Sequence, residues 1–223
     1  MRIDFVTLFP DMFAPVMDAS ILGRAREKGL LEWGCVNPRD FSEDKHRKVD
    51  DRPFGGGPGM VLMAEPLEKA VGSVRRKGTK VIFLSPQGET FTDRKASQLA
   101  QDEHLVLVCG HYEGVDERAL ELFDEELSIG DYVLTGGELP AMVLADAVAR
   151  KLPGVLKKED AAESESFVSG LLDFPQYTRP RVWRGLEVPE VLFSGDHKKI
   201  AEWRQEAARA ATKRKRPDLM SRA

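Results

Sequence analysis

The chain has only two cysteines, Cys35 and Cys109. Both sit in apolar, strand-like surroundings and neither has metal-ligand spacing, so they read as buried thiols and argue against a structural zinc site. Long hydrophobic runs are missing: no apolar stretch approaches the length needed to cross a bilayer. The opening Met1-Arg2-Ile3-Asp4-Phe5-Val6 passes directly into a strand pattern with no secretory signal, which predicts a cytoplasmic protein without a membrane anchor. The glycine-rich run Gly55-Gly56-Gly57-Pro58-Gly59 lacks the Gly-Lys-Ser/Thr ending of a nucleotide-phosphate loop, and Pro58 removes an amide such a cradle would use. Positive charge is short as well. Lys and Arg number 33 against 37 Asp and Glu, a net charge of −4 that by itself argues against a nucleic-acid partner.

That charge is unevenly placed. From Asp196 to Ala223 nine Lys or Arg face four Asp or Glu, which gives +5 and leaves −9 for residues 1–195. A basic end on an acidic body fits phosphate contact by the C-terminal region. With 223 residues, 42% hydrophobic, the chain can bury a sizeable core and suits one domain plus a small second one.

Apolar runs alternate with helical periodicity. Ile3–Leu8 and residues 31–36 read as strands, and Pro10–Lys28 as a helix with Phe13, Val16, Met17 and Ile21 on one face. Glu65–Lys77 and Thr92–Gln101 read as helices, each preceding an apolar strand, which predicts an α/β domain with a largely parallel sheet. The stretch Arg39–Arg52 is dense in both signs and reads equally as a solvated loop or a phosphate contact. After Arg150, Pro153 and Gly154 stop a helix, and Lys157–Ser166 is linker-like by composition. A last helix from about His197 to Thr212 carries Ile200, Trp203, Ala207 and Ala211 as an apolar stripe, so Trp203 reads as core.

Three stretches draw the chemistry together. Leu84-Ser85-Pro86-Gln87-Gly88 follows the apolar Val81-Ile82-Phe83, and Gly110-His111-Tyr112-Glu113-Gly114 follows Leu105–Cys109. In Ser128–Met142, Tyr132-Val133-Leu134 reads as a short buried strand, Gly136-Gly137 as a turn, and Pro140 as a first-turn residue of the next helix. Ligands of α/β sheets bind outside the carboxyl ends of strands, so three such loops predict one site for a small polar molecule held by backbone. The helix start is open to an anionic or hydrogen-bonding group.

Together with Asp50–Met60, Gly110–Arg118 and Tyr177-Thr178-Arg179-Pro180, these motifs resemble, nearly end to end, the bacterial tRNA (guanine-N1)-methyltransferases of the SPOUT class. The resemblance implies an α/β fold whose mostly parallel sheet carries a deep trefoil knot, followed by a small helical C-terminal domain. The division expected is a knotted methyltransferase domain at 1–156, a linker at 157–170 and a tRNA-binding domain at 171–223. It also implies S-adenosylmethionine as methyl donor, a homodimer, and N1 of guanosine at position 37 of tRNA as the target. Cofactor contacts carry over to Leu84, Ser85, Pro86, Gly110, Tyr112, Glu113, Ile129, Gly130, Tyr132, Leu134, Gly136 and Gly137. The catalytic arginine falls on Arg150 and the base on Glu165, which stands as Glu165-Ser166-Phe167 where the family pattern has Asp-Ser-Phe. Asp173 is the alternative base. The family also uses Mg2+ as an aid, although no ligand cluster marks a metal site in the sequence. Two other readings stay open: a SPOUT methyltransferase acting on ribose or ribosomal RNA, and a non-catalytic RNA-binding factor.

Overall fold

The computed structural model of the protein describes residues 1–156 and 165–220. It divides into two compact units, Met1–Lys157 and Lys158–Ala223. Of the linker expected over 157–170, residues 157–164 lie outside the described residues.

The first unit is built on a five-stranded sheet. Its strands are β1 (Arg2–Val6), β2 (Glu32–Val36), β5 (Thr79–Thr90), β6 (His104–Cys109) and β7 (Glu125–Ser128), in the order β2-β1-β6-β5-β7 with every neighbouring pair parallel. Two short strands, β3 (Asp50–Asp51) and β4 (Val61–Leu62), pair antiparallel outside it. Helices cover both faces: α1 (Ala14–Met17), α2 (Ser20–Glu27), α3 (Ala64–Val74), α4 (Asp93–Leu99) and α5 (Glu138–Ala149). All six residues of β6 are buried, the signature of a parallel strand covered on two sides. Its side chains alternate between the two cores. Leu105, Leu107 and Cys109 pack with α2, α4 and α5, and Val106 and Val108 with Leu67, Ala70 and Val71 of α3. Thr92 caps α4 by accepting the Lys95 N–H at 3.3 Å.

Three expectations are corrected. The helix expected over Pro10–Lys28 is a 3-10 turn, Pro10–Met12, followed by α1 and α2. The break comes at Ser20, whose backbone is left-handed at φ 50°. Tyr132–Leu134 is no strand: it is exposed irregular chain, and the strand is the preceding β7, whose Glu125-Glu126-Leu127-Ser128 is too polar to announce itself. Leu84–Gly88 is not simply a loop after a strand, because β5 continues to Thr90. Its pairing with β7 breaks between Leu84 and Glu89 and resumes, so Ser85–Gly88 bulge out of an otherwise continuous strand.

In the second unit, β8 (Val182–Trp183) and β9 (Leu186–Glu187) form a hairpin. Its two-residue turn, Arg184 at φ 53° and Gly185 at φ 78°, has the handedness that suits paired strands. Helix α6 (His197–Lys215) starts at Asp196, which accepts the Lys198 and Lys199 amides, and ends in Lys213, Arg214 and Lys215, where positive charge meets the negative end of the helix. Trp203 is half-buried with its ring 6.3 Å from that of Tyr177, consistent with packing. A four-residue helix, α7 (Pro217–Met220), follows.

Candidate active site

The twelve residues that resemblance assigns to the cofactor all line one cleft of about 330 Å³ at the β5 bulge and the carboxyl ends of β6 and β7, a size within the range of small-molecule sites. The last paired residue before the β5 bulge, Leu84, and the bulge residues Ser85 and Pro86 form one side; the loop after β6 supplies Gly110, Tyr112 and Glu113. The chain from β7 to α5 supplies Ile129, Gly130, Tyr132, Leu134, Gly136 and Gly137. Main-chain bonds fix the walls. Gly137 N–H donates to the Gly110 carbonyl at 2.9 Å, and Tyr132 N–H to that of Gly130 at 2.9 Å. The glycine-rich hairpin between β3 and β4 is laced to the same wall: Glu113 N–H donates to Met60 O at 3.0 Å and Leu62 N–H to Gly114 O at 2.9 Å.

Gly137 has no room for a side chain, since a Cβ would lie 2.6 Å from the Cys109 Cα and 2.7 Å from the Gly110 nitrogen. The close approach of two loops therefore dictates glycine.

Charge in the cleft runs one way. Glu113, Glu117 and Glu126 line it, and among the described residues lining it there is no Lys or Arg. The amino end of α5, read from the sequence as open to an anion, is already occupied by the carboxylate of Glu138, which is 2% exposed. Thr7 donates its hydroxyl to Glu138 Oε1 at 2.7 Å, and His111 Nε2 lies 2.8 and 2.7 Å from the two carboxylate oxygens. Burial pushes this carboxyl up, but the hydrogen bonds from His111 and Thr7 outweigh it and hold the group below the usual range. Neither Glu138 nor Thr7 was singled out from sequence. A carboxylate directly after Gly-Gly at a helix start was the available signal.

Of the other site candidates, Arg150 closes α5, its N–H donating to Asp146 O at 3.1 Å, and is not among the residues lining the cleft. Glu165 and Asp173 belong to the second unit, on a loop tied by Asp173 N–H to Ser166 Oγ at 2.9 Å. Asp173 uses its carboxylate locally. Oδ1 accepts the Phe174 N–H at 2.7 Å and Oδ2 the Gln176 Nε2 at 3.2 Å. The thiols are unsuited to nucleophilic work: Cys35 is pushed up to about 12, by burial first and then by Asp4 and Asp11, and burial raises the fully enclosed Cys109 too.

A family model described as tRNA (Guanine-1)-methyltransferase TrmD matches residues 1–222. Among curated relatives, the tRNA (guanine-N(1)-)-methyltransferase of Moorella thermoacetica is 58% identical over 227 residues, covering 100% of this chain and 91% of its own length. That of Halalkalibacterium halodurans is 56% identical, covering 99% and 91%, and that of Ruminiclostridium cellulolyticum 54%, covering 100% and 97%. With a match that runs the length of the chain, the protein belongs to the tRNA (guanine-1)-methyltransferase TrmD family.

Proposed function

We propose that the protein transfers the methyl group of S-adenosylmethionine to N1 of guanosine at position 37 of tRNA. The observation that carries this reading is the charge of the cleft. Three carboxylates and, among the described residues, no Lys or Arg repel a phosphate-bearing ligand and attract a ligand carrying a sulfonium and an ammonium. The donor set fits the cofactor, because walls made of glycine and main chain present amide and carbonyl groups at close range to an adenine edge. The twelve lining residues named above, from Leu84 to Gly137, would hold it. Bound there, it supplies an electrophilic methyl on a positively charged sulfur.

The chain's own residues do the rest. Guanine N1 carries a proton at neutral pH, so a carboxylate must take it, and the charge developing on the guanine oxygen needs a cation. Glu165 is assigned as base and Arg150 as the guanidinium that meets the oxygen. Asp173, with both carboxylate oxygens accepting local bonds, is assigned to bracing the loop. No cluster of three His, Cys, Asp or Glu suited to a metal occurs among the described residues, so no site is assigned to Mg2+.

In this reading residues 1–156 form the methyltransferase domain, 157–170 a linker and 171–223 the tRNA-binding domain, working in the cytoplasm where tRNA is found. The trefoil knot belongs to this reading through the family alone. A homodimer is supported by large exposed apolar side chains. Phe9, Met12 and Leu139 share a hollow, and Val16 and Val143 are exposed as well.

The test is incubation with unmodified tRNA and labelled S-adenosylmethionine, followed by nucleoside analysis. Label in 1-methylguanosine is the expected result. Label on ribose would favour a different SPOUT target, and no transfer would leave a non-catalytic RNA-binding factor. Mixing inactive Gly136→Trp with inactive Glu165→Gln protein should restore partial activity if subunits complete one another's sites.

A further inference from the structure

The Thr7–Glu138–His111 chain joins three places distant in sequence: the end of β1, the loop after β6 and the start of α5, with separations of 131 and 27 residues. Because a carboxylate only accepts, Nε2 of His111 must carry the proton that it shares with Glu138. Thr7 Oγ1 in turn accepts the Phe9 N–H at 2.9 Å, and the Phe9 ring lies 5.0 Å from that of His111. The network has no slack toward the cleft. A Cβ on Gly136 would come within 2.3 Å of the His111 ring and 2.6 Å of Glu138 Oε2, so the glycine turn rests directly on the pair.

We infer that Glu138 and His111 are positioning residues, which hold the Gly136–Gly137 turn in the shape that lets the cleft take S-adenosylmethionine. The inference rests on reading the cleft as the cofactor site. A buried hydrogen-bonded pair elsewhere in the fold would contribute stability alone. This one is in contact with main chain whose other side is the cleft wall, so losing it must loosen the wall. A buried carboxylate stripped of a donor is also unstable where it stands and will turn toward water.

The test uses the full chain with His111→Phe and His111→Gln, which are gentler than removing the buried carboxylate. His111→Phe keeps an aromatic ring against Phe9 but loses the donor, and His111→Gln keeps an N–H donor. Cofactor affinity by calorimetry, KM for each substrate, kcat and thermal melting are measured together. His111→Phe should weaken S-adenosylmethionine binding roughly ten- to a hundredfold, the worth of a hydrogen bond to a charged group. KM for tRNA and kcat at saturating cofactor should change far less, Thr7→Val should show a smaller effect of the same kind, and His111→Gln should recover most of the affinity. If folded His111→Phe protein bound the cofactor as tightly as the parent, or if His111→Gln lost as much as His111→Phe, the positioning role would be overturned. A parent protein that did not bind S-adenosylmethionine would instead overturn the reading of the cleft, and the inference with it.

Discussion

Gly137 donates its amide to the carbonyl of Gly110 at 2.9 Å, which pins the loop leaving β7 to the loop leaving β6. Gly137→Ala should therefore act on binding and stability together. The added carbon meets backbone on both sides, so the loops must part, at a cost of about 1–3 kcal/mol and with most of the cofactor affinity. Gly72→Ala is the control. Gly72 is exposed within α3 and an added Cβ meets nothing within 4 Å, so that variant should gain about 0.5–1 kcal/mol with binding untouched. Urea unfolding and calorimetry on both variants check the pair.

Acid sensitivity should trace to the opposite end of the sheet. Asp4, 1% exposed, accepts from Arg2 Nε at 3.0 Å and lies 2.9 Å from His104 Nε2. Burial raises its carboxyl, yet the bonds from Arg2 and His104 win and hold it below the ordinary range. Its contribution is therefore present above about pH 4, the unfolded value, and is lost as pH falls through the lower folded value. Asp4→Asn should cost about 3 kcal/mol at pH 7, the low end for a broken buried pair, because Arg2 keeps a third of its side chain in water. Urea midpoints at pH 7 and pH 3 should show the gap between variant and parent narrowing in acid.

The two carboxylates of the second unit should separate by type of damage. Glu165→Gln should lower single-turnover methylation by about 10²–10⁴ with cofactor affinity unchanged, since the amide cannot take a proton. Asp173→Asn keeps one acceptor for the Phe174 amide, so its main effect should be a looser loop and weaker tRNA affinity. Loss of chemistry in Asp173→Asn with Glu165→Gln near the parent rate would reverse the assignment.

Replacing Lys213, Arg214 and Lys215 by Gln should weaken tRNA binding and flatten its dependence on salt. Each lost phosphate contact removes about 0.7–0.9 from the log–log slope. An unchanged slope would place the RNA contacts elsewhere.

The sequence made the buried strands plain because Val81–Phe83 and Leu105–Cys109 are apolar on both faces, as only a covered parallel sheet requires. It hid β7, whose Glu125 is engaged by Lys80 and Lys95 at 3.3 and 2.9 Å, so its polarity is satisfied by packing that no local pattern reports. Glycine motifs pointed to the cleft, since backbone that must approach closely leaves its trace in residue type. Glu138 left only its place directly after Gly136-Gly137, and Thr7 left nothing: the reason for each is the other, 131 residues away.

Thr212 is fully buried in the last turns of α6. Its hydroxyl donates to the Ala208 carbonyl at 2.7 Å while accepting the Leu172 N–H at 2.9 Å. Leu172 adjoins Asp173, which is bonded back to Ser166 beside Glu165. The basic helix and the carboxylate loop are thus one mechanical piece. A displacement of the last turns of α6 is therefore passed through Leu172 and Asp173 to Ser166, so the seat of Glu165 is set by a helix 40 residues further along the chain.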